Sequence, residues 1–297
     1  MTAMTPPSAP PPQVLSSPAP LAHEAQAQAQ EAREAQAQEA REAQAQEAQA
    51  QEAREAQAQE AREARRPSLA QRPGRLTAVC VVHAIIENPG ETPDVTAIDK
   101  RPRPGRLAVG SGGFALDTQV DRRHHGGHEQ ALYVYADEDA AWWAGQLGRQ
   151  VPAGLFGENL RTSGVDVSRA EIGERWRIQP PDADGAGPVL VEVTSPRTPC
   201  MTFQKRMDQP HWIKRFTLAG LPGAYLRVLT PGTLGAGDVV EVVERPGHGV
   251  TVADMLTGRI EAYLALLEAH DTGVVTLGPK VAGQVRRRTS RAHPSSA

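Results

Sequence analysis

At 297 residues and a net charge of −3, the chain can hold one large domain or two, with its charge unevenly divided. Six Arg against ten Glu give residues 1–66 a charge of −4, so the whole-chain −3 leaves about +1 for the rest and excludes the basic footprint of a nucleic-acid binder. Two Cys exclude a disulfide framework and point to a reducing compartment.

The opening Met-Thr-Ala-Met-Thr-Pro-Pro has neither the basic nor the apolar part of an export leader, and no apolar run approaches the ~18 residues of a membrane span. These features predict a cytoplasmic protein with no membrane and no nucleic-acid partner. Residues 1–22 are rich in Pro, Ala and Ser and read as disordered. Residues 23–66 repeat Glu-Ala-Gln-Ala-Gln and Glu-Ala-Arg units, often as an eight-residue cassette of strong helix formers. An eight-residue period drifts by about 80° per repeat on an α-helix, so no continuous seam forms and a coiled coil is not expected. Glu31 and Glu34, like Glu39 and Glu42, are like-charged neighbours three apart. The repeat therefore reads as fluctuating helix or disorder, a spacer or a partner-binding arm.

All four Trp, four Tyr and four Phe lie beyond residue 66. Short β-rich runs at Leu76–Ile86, Asp94–Ile98, Ala131–Tyr135, Gly173–Ile178, Val189–Thr194, Ala224–Thr230 and Asp238–Glu244 predict a mostly β domain over 67–246, a barrel or sandwich with minor α. Asp137 is placed to cap a helix over Glu138–Arg149. One appended helix is expected within 247–272, with Leu256, Ile260, Leu264 and Leu267 near one face, followed by a basic disordered end at 273–297.

Three loops hold more chemistry than a scaffold needs. In Asp121-Arg-Arg-His-His-Gly-Gly-His-Glu-Gln130, His124 and His125 project to opposite faces if extended and make a poor metal pair, whereas Gly126 and Gly127 let backbone N–H groups approach an anion. In Gly154-Leu-Phe-Gly-Glu-Asn-Leu160, Asn159 offers an amide that both donates and accepts. Lys100 lies just past a strand end, where a cation could hold a phosphate.

The chain is organised around Val193-Thr-Ser-Pro-Arg-Thr-Pro-Cys-Met201. Pro196 and Pro199 stiffen the bend, and Ser195 or Thr198 is placed to cap a helix over Met201–Met207. A thiol at Cys200, beside Arg197 and a helix start, has its anion favoured and reads as a nucleophile or metal ligand. Cys80, in an apolar run, reads as core.

Taken together, the segments Ile98-Asp-Lys100, Asp117-Thr-Gln-Val-Asp121, His125-Gly-Gly127 with Gln130-Ala131, Phe156-Gly-Glu-Asn-Leu160, Ile172-Gly-Glu-Arg175 and Ser195-Pro-Arg-Thr-Pro-Cys200 resemble the MOSC family, domains named after the C-terminal part of molybdenum cofactor sulfurase. The resemblance implies a β-barrel holding a molybdopterin-type molybdenum cofactor, with Cys200 as metal ligand or sulfur carrier. Lys100, His125, Gly126, Gly127, Asn159, Arg197 and Thr198 would surround the cofactor. A phosphate-bearing cofactor such as pyridoxal phosphate is compatible with the same loops. The stand-alone members of the family look like reductases of N-hydroxylated compounds, which gives His125 a proton-transfer role and requires a flavin or iron–sulfur electron donor protein. They also tend to carry three helices after the barrel, against the one expected here. A persulfide carrier without turnover, and a binding module without catalysis, are the alternatives.

Overall fold

The computed structural model describes residues 30, 33–46, 49, 73–120, 126–182 and 187–292, and its contacts divide the chain into two units, Met1–Glu60 and Ala61–Ala297. In the first unit residues 33–46 are helical and exposed. Gln30 and Gln38 donate to Glu34 and Glu42, four residues on, at 3.2 Å each, which offsets repulsion among the glutamates. The predicted lead 1–22, most of the repeat and the last five residues lie outside the described residues.

The second unit contains β1 (Gly74–Glu87), β2 (Val95–Pro102), β3 (Leu107–Gly110), β4 (Gly113–Phe114), β5 (Leu132–Ala136), β6 (Leu160–Ser163), β7 (Arg175–Gln179), β8 (Val189–Pro196), β9 (Ala224–Thr230), β10 (Gly232–Leu234) and β11 (Val239–Glu244). Strands β11, β7, β8, β9, β5, β6 and β1 pair in that order, and β1 pairs with β11 to close a seven-stranded barrel. Closure leaves no open edge among those strands. The 14-residue β1 is long enough to serve two neighbours, pairing with β6 through Arg75–Val79 and with β2 through Cys80–Glu87. The expected mostly β barrel is the observed fold.

Strand β5 explains where the core lies. Leu132, Val134 and Ala136 face the barrel interior with Leu160, Trp176, Val191 and Leu226. The alternate residues Tyr133 and Tyr135 face a second cluster with Trp143, Phe156, Phe203, Trp212 and Phe216. A strand buried on both faces reads as a continuous apolar run, as Leu132–Ala136 does. Helices α1 (Asp137–Leu147), α2 (Met201–Met207) and α3 (Trp212–Ala219) supply the outer side of this aromatic cluster. The chain runs from β5 through α1 to β6, and these two strands are parallel, as a helical crossover requires. Asp137 is the first residue of α1 rather than its cap: Ala136 occupies the N-cap without a side-chain bond. Asp137, Glu138 and Asp139 instead act through the helix dipole.

The C-terminal part differs from the expected single helix and disordered end. Three helices follow the barrel: α4 (Val252–Thr257), α5 (Ile260–Asp271) and α6 (Pro279–Ala292). Gly258, at φ 77°, ends α4 and resets the helical phase, so the buried residues are Met255, Tyr263, Leu266 and Ala269 rather than the stripe through Leu256 and Leu264. The basic run becomes a helix because Val281, Val285 and Thr289, four apart, are buried on one face while Arg286, Arg287 and Arg288 remain exposed. Among the described residues no helix is long and apolar enough to cross a membrane.

Candidate functional site

A cleft of about 460 Å³ opens between the β1–β2 turn, the Gly154–Asn159 loop and the β8–α2 bend. Its lining brings together Lys100, Gly126, Asn159, Arg197, Thr198 and Cys200, the greater part of the residues singled out in the sequence. His124 and His125 lie outside the described residues.

Cys200 occupies the N-cap position of α2, with φ −134° and ψ 174°, and is half-buried. No side chain caps α2, so neither Ser195 nor Thr198 has the expected capping role. The extended backbone at Cys200 is the usual conformation of an N-cap residue, and the thiol is left to line the cleft.

Arg197 is the best-defined cation. Its Nη1 donates to the Phe156 carbonyl at 2.5 Å, and its guanidinium lies 3.9 Å from the Phe203 ring centroid and 5.2 Å from that of Tyr133. Its Nε is buried without a hydrogen-bond partner among the described residues. Of the charged side chains lining the cleft, Lys100 pairs with Asp117 at 2.5 Å and Glu91 with Lys205 at 3.2 Å, while Arg197 has no ion-pair partner among the described residues. The surplus positive charge of the lining therefore sits on Arg197.

Lys100 differs from the expected unpaired phosphate ligand, because Asp117 neutralises it. Asp117 in turn accepts from Val82 N at 2.9 Å and Asn159 Nδ2 at 2.8 Å. Asn159 also donates to the Cys80 carbonyl at 3.2 Å and accepts from Tyr133 N at 3.2 Å, so its amide ties β1 to β5 and leaves little for a ligand.

The glycine loop is engaged too. Gly126 N donates to Gln130 Oε1 at 3.1 Å and Gly127 N to Gln119 Oε1 at 3.2 Å, so neither N–H is left for an anion. Gly126 lines the cleft; Gly127 does not. Lys280 of α6 reaches the same Gln130 Oε1 at 3.1 Å, which joins the C-terminal helices to the cleft wall.

Beneath the loop lies a buried pair that residue-type reasoning passed over. Glu158, fully buried, accepts from Gly154 N at 2.7 Å, Phe156 N at 3.0 Å and Arg161 Nε at 2.9 Å. It thereby shapes the loop whose Phe156 carbonyl holds Arg197. The signal was the Phe-Gly-Glu-Asn segment itself, where a carboxylate two residues past an N–H can fold back on it. Gly157, at φ 77°, completes the turn: a Cβ there would lie 3.0 Å from Ile98 Cγ1 and 3.8 Å from Arg197 Nη1.

Comparison with known proteins agrees with this geometry. The MOSC domain model matches residues 121–241. The chain is 30% identical over 157 residues to the uncharacterized protein YflK of Bacillus subtilis, covering 53% of this chain and 67% of that protein. It is 29% identical over 154 residues to a reductase of Gibberella moniliformis, covering 51% of this chain and 26% of that protein. The crystal structure of YiiM from Geobacillus stearothermophilus superposes with a TM-score of 0.56 at 23% identity, covering 73% of this chain and 100% of that chain. The chain belongs to the MOSC domain family, as the six sequence segments imply.

Proposed function

We propose that the chain is a molybdenum-cofactor-dependent oxidoreductase that reduces N-hydroxylated compounds, with Cys200 as the protein's ligand to the metal. The observation that supports this most is the meeting, in one cleft, of a half-buried thiol and a guanidinium without an ion-pair partner among the described residues. A soft thiolate suits a sulfur-rich metal centre. Among the described residues no three His, Cys, Asp or Glu could hold a metal together, so a metal at Cys200 would draw its other ligands from the cofactor. The Arg197 Nε, without a partner among the described residues, and the absence of a side chain at Gly157 suit a bulky anionic group there.

When bound, the cofactor supplies the two-electron redox chemistry that no side chain provides. The chain's own residues do the rest. Cys200 anchors the metal, and Arg197, held by the Phe156 carbonyl and the Phe203 ring, offsets anionic charge. The hydroxyls of Thr92, Thr96 and Thr118 give the cleft neutral hydrogen-bonding groups for an uncharged polar substrate. His125 is assigned the proton transfer, and a flavin or iron–sulfur protein the supply of electrons, because two separate Cys cannot hold an iron–sulfur cluster.

The test uses protein purified from a host that makes the cofactor. It is expected to oxidise a reduced viologen dye when given an N-hydroxylated base or an amidoxime. Dye oxidation at the background rate by metal-loaded protein with both substrate types would overturn the reading. A cyanide-releasable sulfur on Cys200 without turnover would favour the persulfide carrier instead.

A further inference from the structure

Two tyrosines of β5 and one of β9 meet at the wall of the cleft, and their hydroxyls fare differently. Tyr133 Oη donates to the Pro222 carbonyl at 2.8 Å and Tyr135 Oη to the Leu221 carbonyl at 2.9 Å. The Tyr225 hydroxyl has no hydrogen-bond partner among the described residues. Tyr225 is half-buried, lines the cleft with Cys200 and Arg197, and its ring centroid lies 5.3 Å from that of Tyr133.

Its place is rigid. Tyr225 is paired with Tyr133 on one side and Ser195 on the other, so β9 is held between β5 and β8 and the phenol cannot move away with its strand. A half-buried tyrosine hydroxyl ordinarily finds a partner. Of the charged and amide donors of the lining, Lys100 is committed to Asp117, the Asn159 amide to Cys80 and Asp117, and Arg197 to the Phe156 carbonyl and to whatever anion the cleft takes, which leaves the threonine hydroxyls and the phenol as neutral donors. Tyr225 therefore offers a neutral donor beside the thiol, protonated at neutral pH.

We infer that Tyr225 Oη donates the hydrogen bond that seats the nitrogen-bound oxygen of the substrate beside Cys200, and so distinguishes an N-hydroxylated compound from the amine it becomes. This rests on the reductase reading. The amine lacks that oxygen and leaves the phenol unpartnered, and a site built around such a bond discriminates against ligands that cannot make it. The same hydroxyl that holds the substrate thereby favours release of the product.

The experiment measures equilibrium binding of an N-hydroxylamino purine and of the corresponding aminopurine to oxidised, molybdenum-loaded protein, with no reductant and hence no turnover. Wild type is expected to prefer the hydroxylamino ligand, and Tyr225→Phe to lose about tenfold of that preference with molybdenum per chain and Tm unchanged. Tyr133→Phe, whose hydroxyl is spent on Pro222, should keep the preference. Unchanged preference in Tyr225→Phe, or equal affinity of loaded wild type for both ligands, would overturn the assignment while the reductase reading stands. A wild type that acquires no molybdenum would overturn both.

Discussion

Cys80 and Cys200 show how far two thiols in one chain diverge. Cys80 is fully buried in β1, where burial, with the Glu158 charge adding to it, pushes the thiol up to about 12. A thiol so raised presents almost no thiolate at pH 8 and has no path to reagent. Cys200 is half-buried and lines the cleft. Alkylation of the metal-free protein at pH 8, followed by peptide mass analysis, should label Cys200 and leave Cys80 unmodified until the fold is opened. Equal labelling would contradict the placement of the two side chains. The sequence made this contrast legible, because Cys80 sits in an apolar run and Cys200 between Pro199 and a helix start. It did not reveal that Asp117 neutralises Lys100 or that Asn159 is committed to the backbone of β1 and β5, since both depend on contacts between distant segments.

At the scale of elements, the Gly154–Asn159 loop transmits the buried Glu158–Arg161 pair to the cleft through the Phe156 carbonyl and Arg197. Glu158→Gln should leave Arg161 buried with a weakened partner and destabilise the fold by roughly 3 kcal/mol. Urea denaturation reads that change, and a variant as stable as wild type would remove the pair from the account. Helix α6 is the second case. Its Val281 and Val285 are buried, and Lys280 bonds Gln130 at the cleft wall. Deleting residues 279–297 should therefore lower Tm and, with it, the molybdenum retained per chain. A truncated protein equal to wild type in both would show that α6 is only appended. Strand β9 was legible to the residue, since Ala224–Thr230 has the expected composition between Gly and Pro. Helix α6 was missed because an arginine run dominates the reading, although valines four apart were there to mark a buried stripe.

For the whole molecule, the aromatic residues, both Cys and the cleft all belong to one unit, while the repeat carries Ala as almost its only apolar residue. Removing residues 1–66 should leave Tm unchanged by calorimetry, because such a composition has little apolar surface to bury. A clear drop would mean that the repeat packs on the barrel. Seven short β runs anticipated a barrel or sandwich and the family resemblance a barrel, but the order of the strands was not anticipated, because pairing β1 at once with β2, β6 and β11 follows from its length and register, not from its composition. The central claim is that Cys200 binds a cofactor metal in the cleft beside Arg197. Elemental analysis of the full chain purified from a cofactor-making host tests it most directly. Wild type should carry about one molybdenum per chain, and Cys200→Ser, nearly isosteric but a poor ligand, should carry almost none while keeping the wild-type Tm. Molybdenum absent from wild type, or retained equally by Cys200→Ser, would contradict it.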